Sequence, residues 1–540
     1  MKNIYLYVAF LLIAGIFVFC SCENDFDAKI YGSLSTTNFP STESDYENYM
    51  MGCYVPFSVN WGYNFGSASQ HNFYVAEGGI VRMLDSTTDE CAPFLVLTWG
   101  DDWLRMTNGQ FDDLKYAQRK SGGTPSHFEK VRDITRFTQI IATLQGAGEN
   151  IMSTARKEEL IGEARLLRGM MMYYLLHFYG PVPVILDSSL IGNTEAESKL
   201  VRPTLDEMAE YITDDLEYAA THMTEKQIEQ GRYTADYARF CLMRHYLNEG
   251  NHMSGYYQKA YDMFKQFSGS YALFMQGENP YAEQFKIANK FNCEVIMSVS
   301  CNSNATGSGN EGNFNPLSWY LVPVDATKYD DKENPTPFVN QGGGWGQCFS
   351  LDANFYDTFE DEDLRAETVL TSYYSSKNGW VKREHLGNLW NGFIVNKYPV
   401  ETPTAFQGTD IPLARWADVL LMYAEADVRL NKIVSPEAIK CVNQVRNRAG
   451  LVDLPSSATS SVDVFLEALL LERGHELMYE GCRKVDLIRF NKYYTKMSEA
   501  GRAPSSQYFP LPNYAVQQAA EAGYTLEQYF TRSDYDGPRK

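Results

Sequence analysis

Eight tryptophans, 37 tyrosines and 30 phenylalanines give this chain a surplus of aromatic side chains. An indole ring suits one kind of non-covalent chemistry especially well. It lies flat against the C–H face of a sugar ring, covering much area with few torsions, while a few polar groups fix the hydroxyls. Seven of the eight tryptophans fall where no helical period is visible, and five of these stand out. Trp61, Trp99 and Trp103 share one glycine- and aromatic-rich stretch; Trp319 and Trp345 share another, near Tyr320 and the run Gly342-Gly343-Gly344, which reads as flexible. Loops held on a rigid scaffold are where binding residues concentrate, so these five tryptophans and Tyr320 are the candidate ligand-binding residues. Trp416 lies inside a helical pattern and is expected to be structural, and Trp380 and Trp390 rank below the five.

Reactive constellations are incomplete by comparison. His475-Glu476 starts like a zinc-protease HExxH motif, but Tyr479 stands where the second histidine ligand belongs. Gly307, Gly309 and Gly312 spell GxGxxG with no helix pattern behind them to offer an N-terminus to a phosphate. There is no Walker A string and no GxSxG. A glycosidase needs two carboxylates about 5 or about 6.5 to 9.5 Å apart, a test that 68 acids do not pass or fail by sequence. The acidic run Glu360 to Asp363 before Arg365 lacks the alternation and the glycine of a calcium loop and reads as a solvated helix start. Eight cysteines other than Cys20 and Cys22 are too irregular for a disulfide framework or a CxxC metal site. Cys293 with Cys301, or Cys53 with Cys91, are the pairs that a bridge would join, and Cys241 and Cys441 read as small buried hydrophobes. No catalytic residue, metal ligand or cofactor is expected.

The elements that must position the aromatic residues follow from periodicity. Apolar residues at three- and four-residue spacing predict helices over 156–179, 204–220, 235–249, 254–267, 415–430, 436–448 and 462–480, and a further pattern over 127–144. The capping box Ser44/Glu47 opens an earlier helix, and Ser435, Pro436 and Gly450 punctuate the 436–448 helix at both ends. A β-type alternation runs over 294–300. Paired helices with short connections imply a mainly α, helical-repeat body, interrupted by loop-rich, partly β regions at 60–125 and 301–413.

The N-terminus predicts where this body works. Lys2 precedes an uncharged run from Ile4 to Cys20, and Ser21-Cys22 is followed at once by acidic residues. That is the pattern of a lipoprotein signal: residues 1–21 are removed, Cys22 is lipidated, and residues 22–43 form a tether to the body over 44–540. The formal charge is −21, and removal of residues 1–21 takes away one lysine and no acid, leaving −22. Such a surface repels phosphate backbones and anionic headgroups, which excludes nucleic acid as a partner and leaves the lipid to hold the membrane.

Several strings then become recognisable in order. They are EARLLRGMMMYYLLHFYGPVPVIL at 163–186, GRYTADYARFCLMRHYL at 231–247, RWADVLLMYAEAD at 415–427, NQVRNRAGL at 443–451, ERGHELMYEGCRKVDLIRFN at 472–491 and YFPLP at 508–512. Together they resemble the SusD/RagB family of surface nutrient-binding lipoproteins over nearly the whole mature chain. One departure is Gly474, where the family usually carries a bulkier residue; glycine in a helix interior costs roughly 1 kcal/mol against alanine.

The resemblance implies a scaffold of four tetratricopeptide-like helix pairs over about 127–300 and 414–495, with the ligand site in the loop-rich regions. It implies a lipid-anchored protein at the outer face of the outer membrane that binds a glycan or oligosaccharide, catalyses nothing, and delivers its ligand to a TonB-dependent transporter of the SusC type. The alternatives are a peptide-binding, RagB-like member of the same family and an exported glycoside hydrolase.

Overall fold

A computed structural model describes residues 39–59, 72–76, 78–93, 100–111, 127–225, 231–303, 314–344, 346–403 and 407–532. The chain divides into a short N-terminal unit, Met1–Tyr46, and a body, Glu47–Lys540. No helix among the described residues is long and apolar enough to cross a membrane.

The body is built from helices that pack in antiparallel neighbours. Helix Val131–Gln145 packs on Thr154–Tyr179, which packs on Leu205–His222, and that in turn on Ala235–Glu249. Tyr256–Met263 joins this group to Trp416–Asn431, which carries Pro436–Arg448 and Val462–Glu476. Their ends are set by local chemistry. Ser153 caps the Thr154–Tyr179 helix by accepting from the N–H of Arg156, and Gly180 ends it at φ 75°. Thr204 and Glu207 form a reciprocal capping box. Ser435 caps the Pro436–Arg448 helix, whose first residue needs no donor.

Three expectations change at this level. The first helix starts at Glu43, and the side chain that accepts from its first turn is Thr42, bonded to the N–H of Asp45, so Ser44 is already helical and cannot cap. The 462–480 helix stops at Glu476, because Tyr479 and Gly481 take the left-handed conformation, at φ 58° and 77°. The acidic run at 360–363 is not a solvated helix start. It forms a turn in which Asp363 is buried against Arg365, 2.8 Å away, while Glu360 meets Arg446. The eight cysteines from Cys53 to Cys482 are all free.

Among the described residues, six short strands make three two-stranded sheets. β1 (Val295–Val299) pairs antiparallel with β6 (Ile411–Arg415), β2 (Val369–Leu370) with β5 (Ile394–Val395), and β3 (Ser372–Ser375) with β4 (Gly379–Lys382). The β1–β6 pair brackets the second loop-rich region and returns the chain to the helices.

That region is fastened to the helices by buried charge. Arg415, at the end of β6, holds Glu294 at 2.6 Å and Glu476 at 2.8 Å, and it also pairs with Glu480. Arg448 shares Glu294 and Glu476, Arg365 adds Asp363 and Glu472, and Lys397 reaches Glu480. Burial opposes the charge on Glu476, but three guanidinium groups win and hold its carboxyl down at about 2. Gly474 has its explanation here. A Cβ at that position would lie 2.7 Å from a guanidinium nitrogen of Arg483, which is itself fixed by Asp89 and by the carbonyl of Leu470.

Candidate functional site

The chemistry of interest lies on the β3–β4 hairpin. Ser376, Lys377 and Asn378 make its turn, in which the Ser375 hydroxyl accepts from the N–H groups of Lys377 and Asn378, both at 3.1 Å. Gly379 completes it at φ 68°, a left-handed conformation that favours glycine. Side chains then alternate strictly across the two strands. Tyr373 and Val381 point inward and are buried; Tyr374 and Trp380 stand opposite each other on the outer face, with Ser372 and Lys382. The Tyr374 and Trp380 rings meet edge to face at 5.6 Å, and Trp380 remains 42% exposed.

A second loop braces the hairpin from the side. Asp325 accepts from the Ser375 hydroxyl at 2.5 Å and from Tyr373 Oη at 3.2 Å, and its carbonyl accepts from the N–H of Ser376. Burial, and secondarily this carboxylate, push the Tyr373 hydroxyl above its ordinary pKa, so it remains a donor. The N–H of Thr327 donates to the carbonyl of Tyr374, and the Thr327 hydroxyl lies 2.7 Å from the Tyr329 carbonyl and 3.3 Å from that of Tyr374. One hydroxyl thus places Tyr329, which is 52% exposed, beside the Tyr374–Trp380 pair. Under the hairpin, Trp390 is buried and donates from Nε1 to the carbonyl of Lys382 at 3.0 Å. The outcome is an aromatic pair on the outer face, Tyr374 and Trp380, whose backbone is fixed from below and from one side, with the exposed Tyr329 on the bracing loop.

The residues singled out by sequence are distributed differently. Trp319 is half-buried in the short helix Leu317–Leu321. Tyr320, one residue on, is only 1% exposed, with its ring 6.5 Å from Phe349; it belongs to the core, not to a ligand surface. The Gly342–Gly344 run serves close packing instead of flexibility. A Cβ on Gly343 would fall 2.1 Å from the Val324 carbonyl oxygen, and one on Gly344 would fall 2.5 Å from that of Trp319. Trp103 lies on the helix Gly100–Thr107, with its side chain outside the described set, and Trp61, Trp99, Trp345 and Cys22 lie outside the described residues altogether. So do the glycines of the GxGxxG string. His475 stacks on Phe359 at 4.0 Å and Glu476 is taken by arginines, and among the described residues no group of three or more metal-ligating side chains is found. Trp416 is structural, stacked between Phe264 and Tyr271.

The two loop-rich regions meet. The N–H of Ala92 donates to the Ser350 carbonyl, the N–H of Asp352 donates to the Glu90 carbonyl, and Asn391 reaches the carbonyl of Pro93, each at 2.8 Å. A cavity of about 890 Å³ opens elsewhere, on the scaffold between the Val131–Gln145 helix and residues 183–203, with Tyr211 and Tyr514 in its wall. A long saccharide needs exposed rings on which to lie, and the hairpin supplies them.

Two sequence-family models match this chain: one described as SusD family over residues 293–530, and one described as starch-binding associating with outer membrane over residues 132–247. The chain belongs to the SusD/RagB family. Among its relatives, SusD-like protein P25 of Formosa agariphila is 23% identical over 514 residues, covering 91% of this chain and 90% of the relative. The fold is that of solved family members. A laminarin-binding SusD-like protein superposes with a TM-score of 0.68 at 20% identity, covering 91% of this chain and all of the other. Surface glycan-binding protein A from Bacteroides thetaiotaomicron, in complex with laminarihexaose, gives 0.67 at 18% identity, covering 92% of this chain and all of the other.

Of Trp380, Tyr374 and Tyr329, the first ranks below five other tryptophans in the sequence reading, and the other two are not singled out by it. A signal for two of them was present. Asn378-Gly379 closes the three-residue turn that joins the alternating runs Ser372–Ser375 and Gly379–Lys382, a short-range hairpin signal, and alternation puts Tyr374 and Trp380 on one face. Nothing local marks Tyr329.

Proposed function

We propose that this protein captures a glycan or oligosaccharide at the outer face of the outer membrane and passes it, chemically unchanged, to a TonB-dependent transporter of the SusC type. The reading is carried by one observation: the exposed, braced aromatic face of the β3–β4 hairpin. Rings of this kind bind the C–H faces of sugars, and burying part of an exposed aromatic ring contributes about 1–3 kcal/mol. Trp319 flanks the loop that braces the hairpin, and Trp61, Trp99, Trp103 and Trp345 are proposed as further ligand contacts. The ligands named for two fold neighbours, laminarin and laminarihexaose, point in the same direction. Lipidated Cys22 holds the protein at the membrane in place of any spanning helix.

The test is a binding screen of the purified mature protein against oligosaccharides, with the size of each sugar followed in parallel. Saturable binding of at least one, with chain length unchanged, is expected. Release of reducing ends abolished by one carboxylate substitution would establish a hydrolase instead, and binding of peptides but no sugar would establish the peptide-binding alternative. In cells without the transporter, Cys22→Ala should move the protein to the soluble fraction; retention at the membrane would contradict the anchor.

A further inference from the structure

Several lysines at the surface of this acidic protein meet a carboxylate. Lys259 pairs with Glu217 at 2.8 Å, Lys286 with Glu283 at 2.6 Å, Lys440 with Glu437 at 3.4 Å and Lys496 with Glu499 at 2.7 Å. Three exposed lysines that form no ion pair among the described residues, Lys328, Lys377 and Lys382, belong to the hairpin and the loop that braces it, as does Lys332, which interacts with Asp330. Lys199, Lys265 and Lys432, elsewhere in the body, also form no ion pair, but Lys265 and Lys432 lie over the rings of Tyr261 and Tyr257.

Their placement follows from the backbone. Lys382 is two residues from Trp380 on β4 and so stands on the same outer face. Lys377 sits in the hairpin turn. Lys328 lies between Thr327, whose N–H is bonded to Tyr374, and the exposed Tyr329. The acids nearby are otherwise engaged or remote from that face. Asp325 accepts from the Tyr373 and Ser375 hydroxyls, and Asp330 accepts from Asn334 and from the N–H of Lys332. Asp331 and Glu333 flank Lys332 at the loop tip and offset its charge, while Arg383 is paired with Asp357 and Glu384 follows the end of β4. Lys328, Lys377 and Lys382 thus form no ion pair and lie on the segments that carry Tyr329, Tyr374 and Trp380.

In a chain of net charge −21 an anion is repelled almost everywhere, and here three cations without ion pairs weaken that repulsion. Resting on the glycan-capture reading, we infer that the ligand of this face is an anionic glycan, whose sugar rings stack on Trp380 and Tyr329 while carboxylate or sulfate groups meet Lys328, Lys377 and Lys382. Lysine suits this task because it is a point charge on a flexible stem and requires no fixed bidentate geometry.

Calorimetry with three oligosaccharides of equal length tests the inference: an oligogalacturonate, a sulfated galactan and an uncharged β-glucan. One of the two anionic sugars should bind at least about tenfold tighter than the uncharged one, the gain expected from a few exposed ion pairs acting together; which one identifies the group. That advantage should shrink between about 20 mM and about 500 mM NaCl as screening shortens the reach of the lysines. The triple variant Lys328→Gln, Lys377→Gln and Lys382→Gln should bind the anionic sugar only as tightly as the uncharged one, with an unchanged melting curve, and the corresponding triple arginine variant should keep the preference. Equal or tighter binding of the uncharged sugar, or a triple glutamine variant with full preference, overturns the anionic ligand and leaves glycan capture standing. Binding of none of the three to wild type overturns both.

Discussion

Arg415 and Lys382 are both cations of the second loop-rich region, and they answer to opposite physics. Arg415 is 1% exposed and surrounded by Glu294, Glu476 and Glu480; Lys382 stands in water beside an exposed indole. The scaffold around Arg415 consumes every charge it contains, because an unpaired ion in a low-dielectric interior costs several kcal/mol. The hairpin face leaves its rings and ammonium groups unpaired, which costs little in water and keeps them available. Arginine with planar, many-donor geometry serves the first region and lysine the second. Substitutions should accordingly act on stability in one region and on binding in the other.

The largest effect is expected at the center of the buried network. Glu476→Ala removes the carboxylate shared by Arg365, Arg415 and Arg448 and should cost about 3–5 kcal/mol in denaturant unfolding. The same group sets an acid limit. Its folded pKa lies below the ordinary 4.5, so its contribution is complete above that value and is lost as pH falls toward about 2. Wild-type stability should decline through this window and the variant's should decline less. A Glu476→Ala protein as stable as wild type would erase the contrast between the regions.

Next in size is Gly474→Ala, which places a Cβ 2.7 Å from the anchored Arg483 guanidinium. A loss of about 1–3 kcal/mol is expected, against the gain that alanine brings to an ordinary helix. A stabilised Gly474→Ala would show that Arg483 moves aside freely.

The smallest effect sharpens the rule by its exception. Lys484 is buried, and its Nζ has no hydrogen-bond partner, only the rings of Phe509 at 4.2 Å, Phe111 at 4.6 Å and Tyr493 at 5.6 Å. Burial drives its pKa well down, while attraction to the rings offsets part of that cost. The unfolded chain binds the proton more readily than the fold does, so Lys484→Met should raise stability at pH 7 by up to about 1 kcal/mol. The gain should shrink as pH approaches the ordinary lysine value of 10.5. A clear loss would mean that this lysine has a stabilising role that its ring cage does not reveal.

Much of the scaffold was legible in sequence because helices carry their signals locally. The helices at Ala235–Glu249 and Pro436–Arg448 were read to the residue from periodicity and caps. The β1–β6 pair was half visible: alternation marked β1, but its partner lies more than a hundred residues away, and no local pattern specifies a long-range register. The helices Arg483–Arg489, Tyr493–Glu499 and Asn513–Glu521 are short, and packing, not period, makes them. The site was less legible. Tryptophan count and loop context favoured Trp319 with Tyr320, yet a loop residue is buried as readily as exposed once its neighbours fold over it, as Tyr320 shows. Exposure at Trp380 follows from strand alternation about Asn378-Gly379.

The most direct test is calorimetric titration of Trp380→Ala with whichever oligosaccharide binds the wild type best, with melting temperature measured on the same samples. The account predicts a loss of about 1–3 kcal/mol in binding, as expected when an exposed aromatic contact is removed, and a melting temperature that hardly moves, since Trp380 is 42% exposed on a two-stranded hairpin. Full affinity in Trp380→Ala would place the ligand elsewhere, and a collapsed melting temperature would show that the ring holds the fold instead of the sugar.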